Sequence, residues 1–198
     1  MKKLFLGLFL VICACSWRTP NSTFYMMNSE GLTPLSNRKI SVAVARVKVP
    51  DLLDRSQIVA YEKDSGEVKI DEFNRWGEAF PEVLQNTVTN DLMAYLPNAF
   101  VKRTYFDSGN LNYSVNIEIN QLAAYVGDKV VLSAWWNIAN TSGNVVKRGQ
   151  KKFEVPMNGR TTEDIVQAQN AAVHLRQPRR HLHHRLEEEP GRHGQCLQ

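Results

Sequence analysis

Histidine is missing from the first 173 residues of this 198-residue chain, and cysteine occurs only at positions 13, 15 and 196. Nucleophilic catalysis by a Ser-His-Asp or Cys-His arrangement needs a histidine base, and protein zinc sites use mainly histidine and cysteine. Both kinds of site are therefore excluded from the body of the chain. Hydrolysis by paired carboxylates is not indicated either, because the acidic residues are scattered through predicted turns and polar faces. We expect a protein without enzymatic activity, metal or cofactor.

The body of the chain also lacks an excess of either charge. The formal net charge of +4 comes from the two ends, and residues 15–174 contain 17 basic and 17 acidic residues. A neutral body has no electrostatic footprint for nucleic acid, which excludes that class of partner. The length suits one domain with a core of its own.

No apolar run approaches the roughly 20 residues that a membrane-spanning helix needs. The longest stretch near the N-terminus is residues 4–12, preceded by Lys2 and Lys3 and followed by Ala14 and Cys15. This order of basic, apolar and small residues predicts a cleaved secretory signal over residues 1–14. It resembles a bacterial lipobox, which implies that Cys15 becomes the acylated first residue. Ser16 then implies sorting to the outer membrane, on its periplasmic face.

Hydrophobic periodicity divides the rest of the chain into elements. Residues 15–37 are polar, with an apolar knot at 24–27, and indicate a tether whose knot docks as a short strand. Strands are predicted near 40–47, 58–61 and 67–70, then as a three-stranded meander over 111–155. A helix is predicted over 78–96, with Pro81 in its first turn, and a second helix is capped by Thr161 or Thr162. Together they predict one α+β domain over residues 38–177, with a largely antiparallel sheet and both helices on one face.

The composition changes after His174. Residues 175–198 carry five arginines, four histidines and three consecutive glutamates, with few apolar residues. Such a segment cannot bury enough surface to offset its ordering entropy, so we expect residues 178–198 to be a disordered tail. The tail is atypical, and a frameshifted 3′ end would explain it.

Three features are candidates for contact with a partner. Trp135 shares its strand face with polar residues, so it is either exposed or covered by the tether, whereas Trp136 is predicted to be core. Asp51 and Arg55 bound a turn that either recognises a partner or is a capped structural turn. The last meander strand carries four basic residues that either meet anionic headgroups or protect a sheet edge; they are Lys147, Arg148, Lys151 and Lys152.

Several motifs in order resemble one family. They are the strand at 40–47, the Pro-Asp-Leu-Leu-Asp-Arg run at 50–55, Ile58-Val59, Arg75-Trp76 before the helix, and the hairpin of Val131 to Ala134, Trp136 and Gly143. The chain is similar here to the ABC-type transport auxiliary lipoproteins, of which the PqiC type is the best-known branch. The family continues its last helix with regular apolar spacing, and the tail of this chain departs from that pattern.

The resemblance implies a non-enzymatic subunit of an intermembrane lipid transport system that supports envelope integrity. Its partners would be a periplasmic protein with MCE (mammalian-cell-entry) domains and the inner-membrane components of the transporter, with self-association as a further option. Two alternatives stay open, a free-standing periplasmic lipid carrier and a structural envelope lipoprotein. A carrier should contain an enclosed apolar pocket, whereas an accessory subunit should have a solid core and an apolar or aromatic surface patch.

Overall fold

A computed structural model describes residues 20–29, 31–104 and 111–174. The strands are β1 (Thr23–Tyr25), β2 (Ser41–Ala45), β3 (Gln57–Tyr61), β4 (Val68–Trp76), β5 (Phe100–Thr104), β6 (Tyr113–Tyr125), β7 (Lys129–Asn140) and β8 (Val145–Pro156). The helices are α1 (Phe80–Tyr95) and α2 (Thr162–Val173), and a single 3-10 turn covers Asp51–Leu53. The predicted α+β fold is confirmed, and β1 is the short strand expected around the apolar knot.

The sheet contains both parallel and antiparallel pairs, and β6 is its central strand, with different partners on its two sides. On one side, β6, β7 and β8 form the predicted antiparallel meander. On the other side, β6 pairs in parallel with three segments in turn. They are β2, then Lys48, which pairs with Glu118 of β6, and finally the end of β3. The strand β5 lies outside β2, while β4 and then β1 lie outside β3. The antiparallel ladders are the longest, but the parallel pairs of β2, β5 and β1 were not predicted from the sequence.

Helix α1 begins and ends where its prolines indicate. Pro81 lies in the first turn, where its missing N–H is no loss, and Pro97 follows the cap residue Leu96. The predicted core residues Val83 and Leu84 are fully buried. The buried surface is wider than the apolar spacing predicts, because it also includes four polar residues, Gln85, Thr87, Thr89 and Asp91.

Helix α2 begins with a capping box. The Thr161 hydroxyl accepts a hydrogen bond from the Asp164 backbone N–H at 3.2 Å, and the Asp164 carboxylate accepts one from the Thr161 N–H at 2.9 Å. This confirms Thr161 as the cap. Its three predicted core positions within the described residues are buried, namely Ile165, Ala168 and Ala172. Leu175 and the expected tail lie outside the described residues.

Both helices lie on the same face of the sheet, as predicted. Leu84 of α1 and Ile165 of α2 belong to one buried cluster with Leu122 and Leu132 from the meander. A smaller cluster of Val42, Val44 and Val101 lies between the C-terminal half of α1 and the strands β2 and β5. Among the residues described, no helix is long and apolar enough to span a bilayer.

Candidate functional site

Trp135 is the most exposed aromatic side chain of the meander, with 55% of its surface accessible. It lies between Glu118 of β6 and Gln150 of β8 in the strand register. The strand alternation therefore places it among polar neighbours, on the face opposite Leu132. Of the two possibilities that the sequence leaves open for Trp135, the structure shows the exposed one.

Trp136 points to the opposite face but is only half-buried, and it lies outside the main core cluster. The prediction that it is a core residue is wrong in this respect. Its direct partner on β8 is Gly149, and a Cβ atom at Gly149 would come within 2.7 Å of the Trp136 ring. The indole therefore lies over a glycine, where the close approach of ring and backbone requires the missing side chain. The partner of Trp136 is thus the edge strand and not a helix.

An open groove of about 960 Å³ surrounds the two tryptophans. Four stretches line it: residues 45–48 after β2, 116–118 of β6, 135–137 of β7 and 148–150 of β8. Its charged side chains are Arg46, Lys48, Glu118 and Arg148. The groove is neither enclosed nor uniformly apolar, so it does not resemble a cavity for acyl chains.

An irregularity in the pairing of β2 with β6 shapes one wall of this groove. Val44 pairs with Val115 and Lys48 with Glu118, so four steps along one chain match three along the other. The extra residue is accommodated beside Arg46, which bonds to Glu82 of α1 at 2.8 Å and to Asp54 at 3.2 Å. The hydrogen bond with Glu82 raises the pKa of Arg46 above its usual value. Arg46 therefore ties the groove wall to the N-terminus of α1.

Asp51 and Arg55 lie in the segment that follows this wall, outside the groove itself. The Asp51 side chain is exposed and makes no capping hydrogen bond, and it is the Asp51 carbonyl that accepts from the Asp54 N–H at 3.2 Å. The capping role considered for the Asp51 carboxylate is therefore wrong. Among the described residues, Arg55 forms no ion pair and its buried Nε has no partner, whereas its carbonyl accepts from the Phe80 N–H at 3.1 Å.

The basic strand β8 is an edge of the described sheet, since β7 is its one partner among the strands that the structure describes. Of its four basic residues, only Lys152 contacts a carboxylate of the described chain, at 3.4 Å from Glu154. Lys151 instead lies 5.9 Å from the centre of the Phe153 ring. This position fits both functions weighed for these residues, edge protection and contact with anions.

A buried polar cluster was missed by the sequence analysis. Asp91 of α1 accepts hydrogen bonds from Ser29 and from Nδ1 of His174, the latter at 3.1 Å. Nε2 of His174 lies 2.8 Å from Oδ1 of Asn170. The serine bonds to the aspartate and not to the histidine, so the cluster lacks the nucleophile–base contact of a hydrolase. Among the described residues, no group of three potential ligands is arranged to hold a metal.

A family model for the ABC-type transport auxiliary lipoprotein component matches residues 26–176. The chain belongs to this family. The resemblance inferred from the sequence motifs is thereby confirmed, and membership supports a role as a transport auxiliary lipoprotein of the cell envelope.

Solved structures show the same fold at low sequence identity. One crystal structure of an uncharacterized protein has a TM-score of 0.62 and 21% identity, covering 78% of this chain and 92% of the other. A DUF330 protein from Xanthomonas campestris has a TM-score of 0.64 and 15% identity, covering 77% and 88%. No curated protein matches the sequence.

Proposed function

We propose that this auxiliary lipoprotein is a non-enzymatic accessory subunit of an intermembrane lipid transporter, and that it binds a periplasmic MCE-domain protein through the Trp135 groove. The observation that carries the proposal is an exposed tryptophan that lines an open groove, on a domain whose core is filled by packed side chains. Exposed tryptophans flanked by arginine are typical centres of protein interfaces. The polar rim of the groove suits a partner that must dissociate again.

The same observation favours an accessory subunit over the two alternatives. A lipid carrier has to shield acyl chains from water, and the open groove with its four charged side chains offers no such shield. A purely structural lipoprotein has no need for an aromatic side chain kept in solvent on a supported strand. The wall that Arg46 ties to α1 also provides a rigid surface for a partner.

The chain organisation that goes with this function is a signal peptide over residues 1–14, an acyl anchor at Cys15 in the outer membrane, a tether over 15–37, the domain over 38–177 and the tail over 178–198. The described part of the tether is attached to the domain. The Tyr25 hydroxyl lies 3.2 Å from Oδ1 of Asn74 and 2.7 Å from the Glu163 carboxylate. Burial of the hydroxyl and its hydrogen bond with Glu163 raise the pKa of Tyr25 to about 12. Met27 is buried in the main core cluster. The tether is therefore attached to the domain from β1 onwards.

The test is affinity co-purification of the full-length lipoprotein from envelope membranes, with the recovered proteins identified by mass spectrometry. The native chain should recover an MCE-domain protein. Trp135→Ser should reduce that recovery by at least tenfold, since a central interface tryptophan contributes about 2 kcal/mol or more. Phe73→Ser is the matched control, because Phe73 is also an exposed aromatic residue but lies on β4, away from the groove.

Normal recovery by Trp135→Ser, or the absence of any MCE-domain protein from the native sample, would overturn the proposal. Lipid analysis of the same samples distinguishes an accessory subunit from a lipid carrier. A stoichiometric lipid that stays with the protein through detergent-free purification, beyond the acyl chains on Cys15, would identify a carrier.

A further inference from the structure

The ends of five adjacent strands form one row at a single end of the sheet. Phe100 of β5 pairs with Ser41 of β2, and Val42 pairs with Tyr113 of β6. Tyr113 pairs with Asn140 of β7, and the neighbouring Ala139 pairs with Val145 of β8. With strands about 4.8 Å apart, the row is about 19 Å wide. Arg38 and Lys39 precede β2 and lie at this same end.

Apolar side chains project from both sides of this row. Phe100 is 62% exposed, and Val145 and Val146 are each 53% exposed. Two consecutive valines are exposed because the β7–β8 pairing is irregular between Ile138 and Ala139, which leaves Val146 outside the regular alternation. The adjacent turn is held by the Asn140 side chain, which accepts from the backbone N–H groups of residues 142 and 144 at 3.0 Å. The valines are therefore carried on a fixed hairpin tip.

The charges at this end are all positive among the described residues. The stretches that build it are residues 31–45, 92–104, 111–117 and 136–147, and none of them contains an aspartate or glutamate. Five exposed basic side chains lie there, and none has a carboxylate of the described residues within ion-pair distance; they are Arg38, Lys39, Lys102, Arg103 and Lys147. Asp107 is the one acidic residue of the segment that joins β5 to β6, and that segment lies outside the described residues.

We propose that this end, which we call the basic pole (Phe100, Val145, Val146 and the five basic residues), binds an anionic lipid surface independently of the acyl chain on Cys15. Unpaired lysines and arginines attract anionic headgroups, and the flanking apolar side chains are of the kind that enters the headgroup boundary. The pole projects side chains from strand ends and a hairpin tip, and none of its residues lines the groove beside Trp135. A planar charged surface is the partner that this geometry matches.

The length of chain between Cys15 and β1 is compatible with this contact. Cys15 precedes β1 by eight residues, which span at most about 28 Å when extended. An acylated Cys15 would hold the domain within that distance of the bilayer, where the local concentration of headgroups is high. The pole would then fix the orientation of the domain on the membrane and so the direction in which the Trp135 groove faces.

The experiment measures co-sedimentation of the unacylated chain, residues 16–198, which retains every residue that the structure describes. Vesicles of phosphatidylcholine alone are compared with vesicles that contain phosphatidylglycerol. The chain should bind the anionic vesicles and be released by 0.5 M salt, a concentration we choose because it shortens the Debye length to about 4 Å. The variant Lys102→Glu with Lys147→Glu should bind at least roughly 20-fold more weakly, since each basic residue near the surface contributes on the order of fivefold.

The matched control is Lys151→Glu with Lys152→Glu, which reverses two charges on β8 farther from the pole and should weaken binding much less. Val145→Ser with Val146→Ser should weaken binding several-fold and leave its salt dependence unchanged. Equal losses for the two charge-reversed variants, or no preference for phosphatidylglycerol, would overturn the proposal and favour an acidic protein as the partner of the pole. The Trp135→Ser variant should bind vesicles normally. A failure of the proposed membrane contact can therefore be distinguished from a failure of the proposed protein interface at Trp135.

Discussion

Leu84 lies on the side of α1 that faces the main core cluster, with only 1% of its surface exposed. Leu84→Ala should lower the free energy of unfolding by about 2–5 kcal/mol, because the change removes buried methyl groups and leaves a cavity. Urea denaturation followed by circular dichroism measures the difference. Met93→Ala, at an exposed position of the same helix, should change stability by less than about 0.5 kcal/mol. Similar effects of the two substitutions would show that the assigned helix face is wrong.

Asp91 is the residue on which the buried polar cluster depends. Its carboxylate accepts from Ser29 before α1 and from His174 at the end of α2, so it joins both chain segments to α1. Asp91→Ala would leave the buried His174 and the half-buried Ser29 without their acceptor and should cost on the order of 3 kcal/mol. Thermal unfolding gives the loss, and Asp51→Ala, which removes an exposed carboxylate, is the control. An unchanged melting temperature for Asp91→Ala would mean that these contacts contribute nothing to stability.

At the scale of the elements, the start of α2 links sequence to pH dependence. The hydrogen bonds from Thr161 hold the pKa of Asp164 below its ordinary value. A carboxylate with a lowered folded-state pKa stabilises the protein above its unfolded-state pKa, and the contribution is lost as the pH falls through the folded-state value. Thr161→Ala removes the side-chain part of this cap and should cost about 1 kcal/mol at pH 7.

The same substitution should have less effect in acid. As the pH falls through the folded-state pKa of Asp164, its carboxylate becomes protonated and the reciprocal hydrogen bonds of the capping box are weakened. The difference in unfolding free energy between the native protein and the variant therefore narrows. Urea unfolding at pH 7 and pH 3 tests this directly. Thr141→Ala controls for the loss of a hydroxyl without loss of the capping box, because Thr141 is an exposed turn residue whose hydroxyl makes no hydrogen bond among the described residues. A cost that grows as the pH falls would contradict the assigned sign.

Elements with local signals could be predicted, and those that depend on distant partners could not. The strict alternation of β6, the prolines around α1 and the capping residues of α2 are all contained in short windows of sequence. The parallel pairing of β2 with β6 joins Val42 to Tyr113, and no local pattern records such a contact. The buried Gln85 is a similar case, because its amide donates to the Val44 carbonyl at 2.8 Å and to the Thr104 carbonyl at 3.1 Å. A glutamine in a helical sequence does not by itself indicate that its amide will donate to two strand carbonyls.

The candidate site likewise combines a feature with a local sequence signal and features that depend on which strands pair. Strand alternation places Trp135 among polar residues and leaves open whether it is exposed or covered by the tether, and the structure shows that it is exposed. The groove beside it depends on the irregular step between Val44 and Lys48, which is visible only when β2 and β6 are paired. The half-buried position of Trp136 likewise depends on Gly149, which faces it from another strand.

For the molecule as a whole, two surfaces suit different partners. One is the face of the sheet opposite the helices, and the other is the basic pole, whose described residues include no aspartate or glutamate. Trp135 lies on the face opposite the helices, while the basic pole is formed by strand ends. The two proposals therefore require an arrangement in which a bilayer and a protein contact one domain at the same time. An anchor at Cys15 would establish that arrangement, and it is the part that sequence alone predicts.

The last prediction concerns that anchor. Mass spectrometry of the native protein should find a chain that begins at Cys15 and carries acyl chains, and the protein should stay in the membrane pellet through a high-salt wash, because several acyl chains hold firmly where one binds marginally. Cys15→Ala should remove the acylation and leave a heavier precursor, since the small-residue and cysteine pattern at the end of the signal is lost. Cys13→Ala is the matched control and should be processed normally, because Cys13 lies in the segment that is predicted to be removed with the signal. An unmodified Cys15 in the native protein, or its release by salt alone, would show that the basic pole and the partner hold the domain without a covalent anchor.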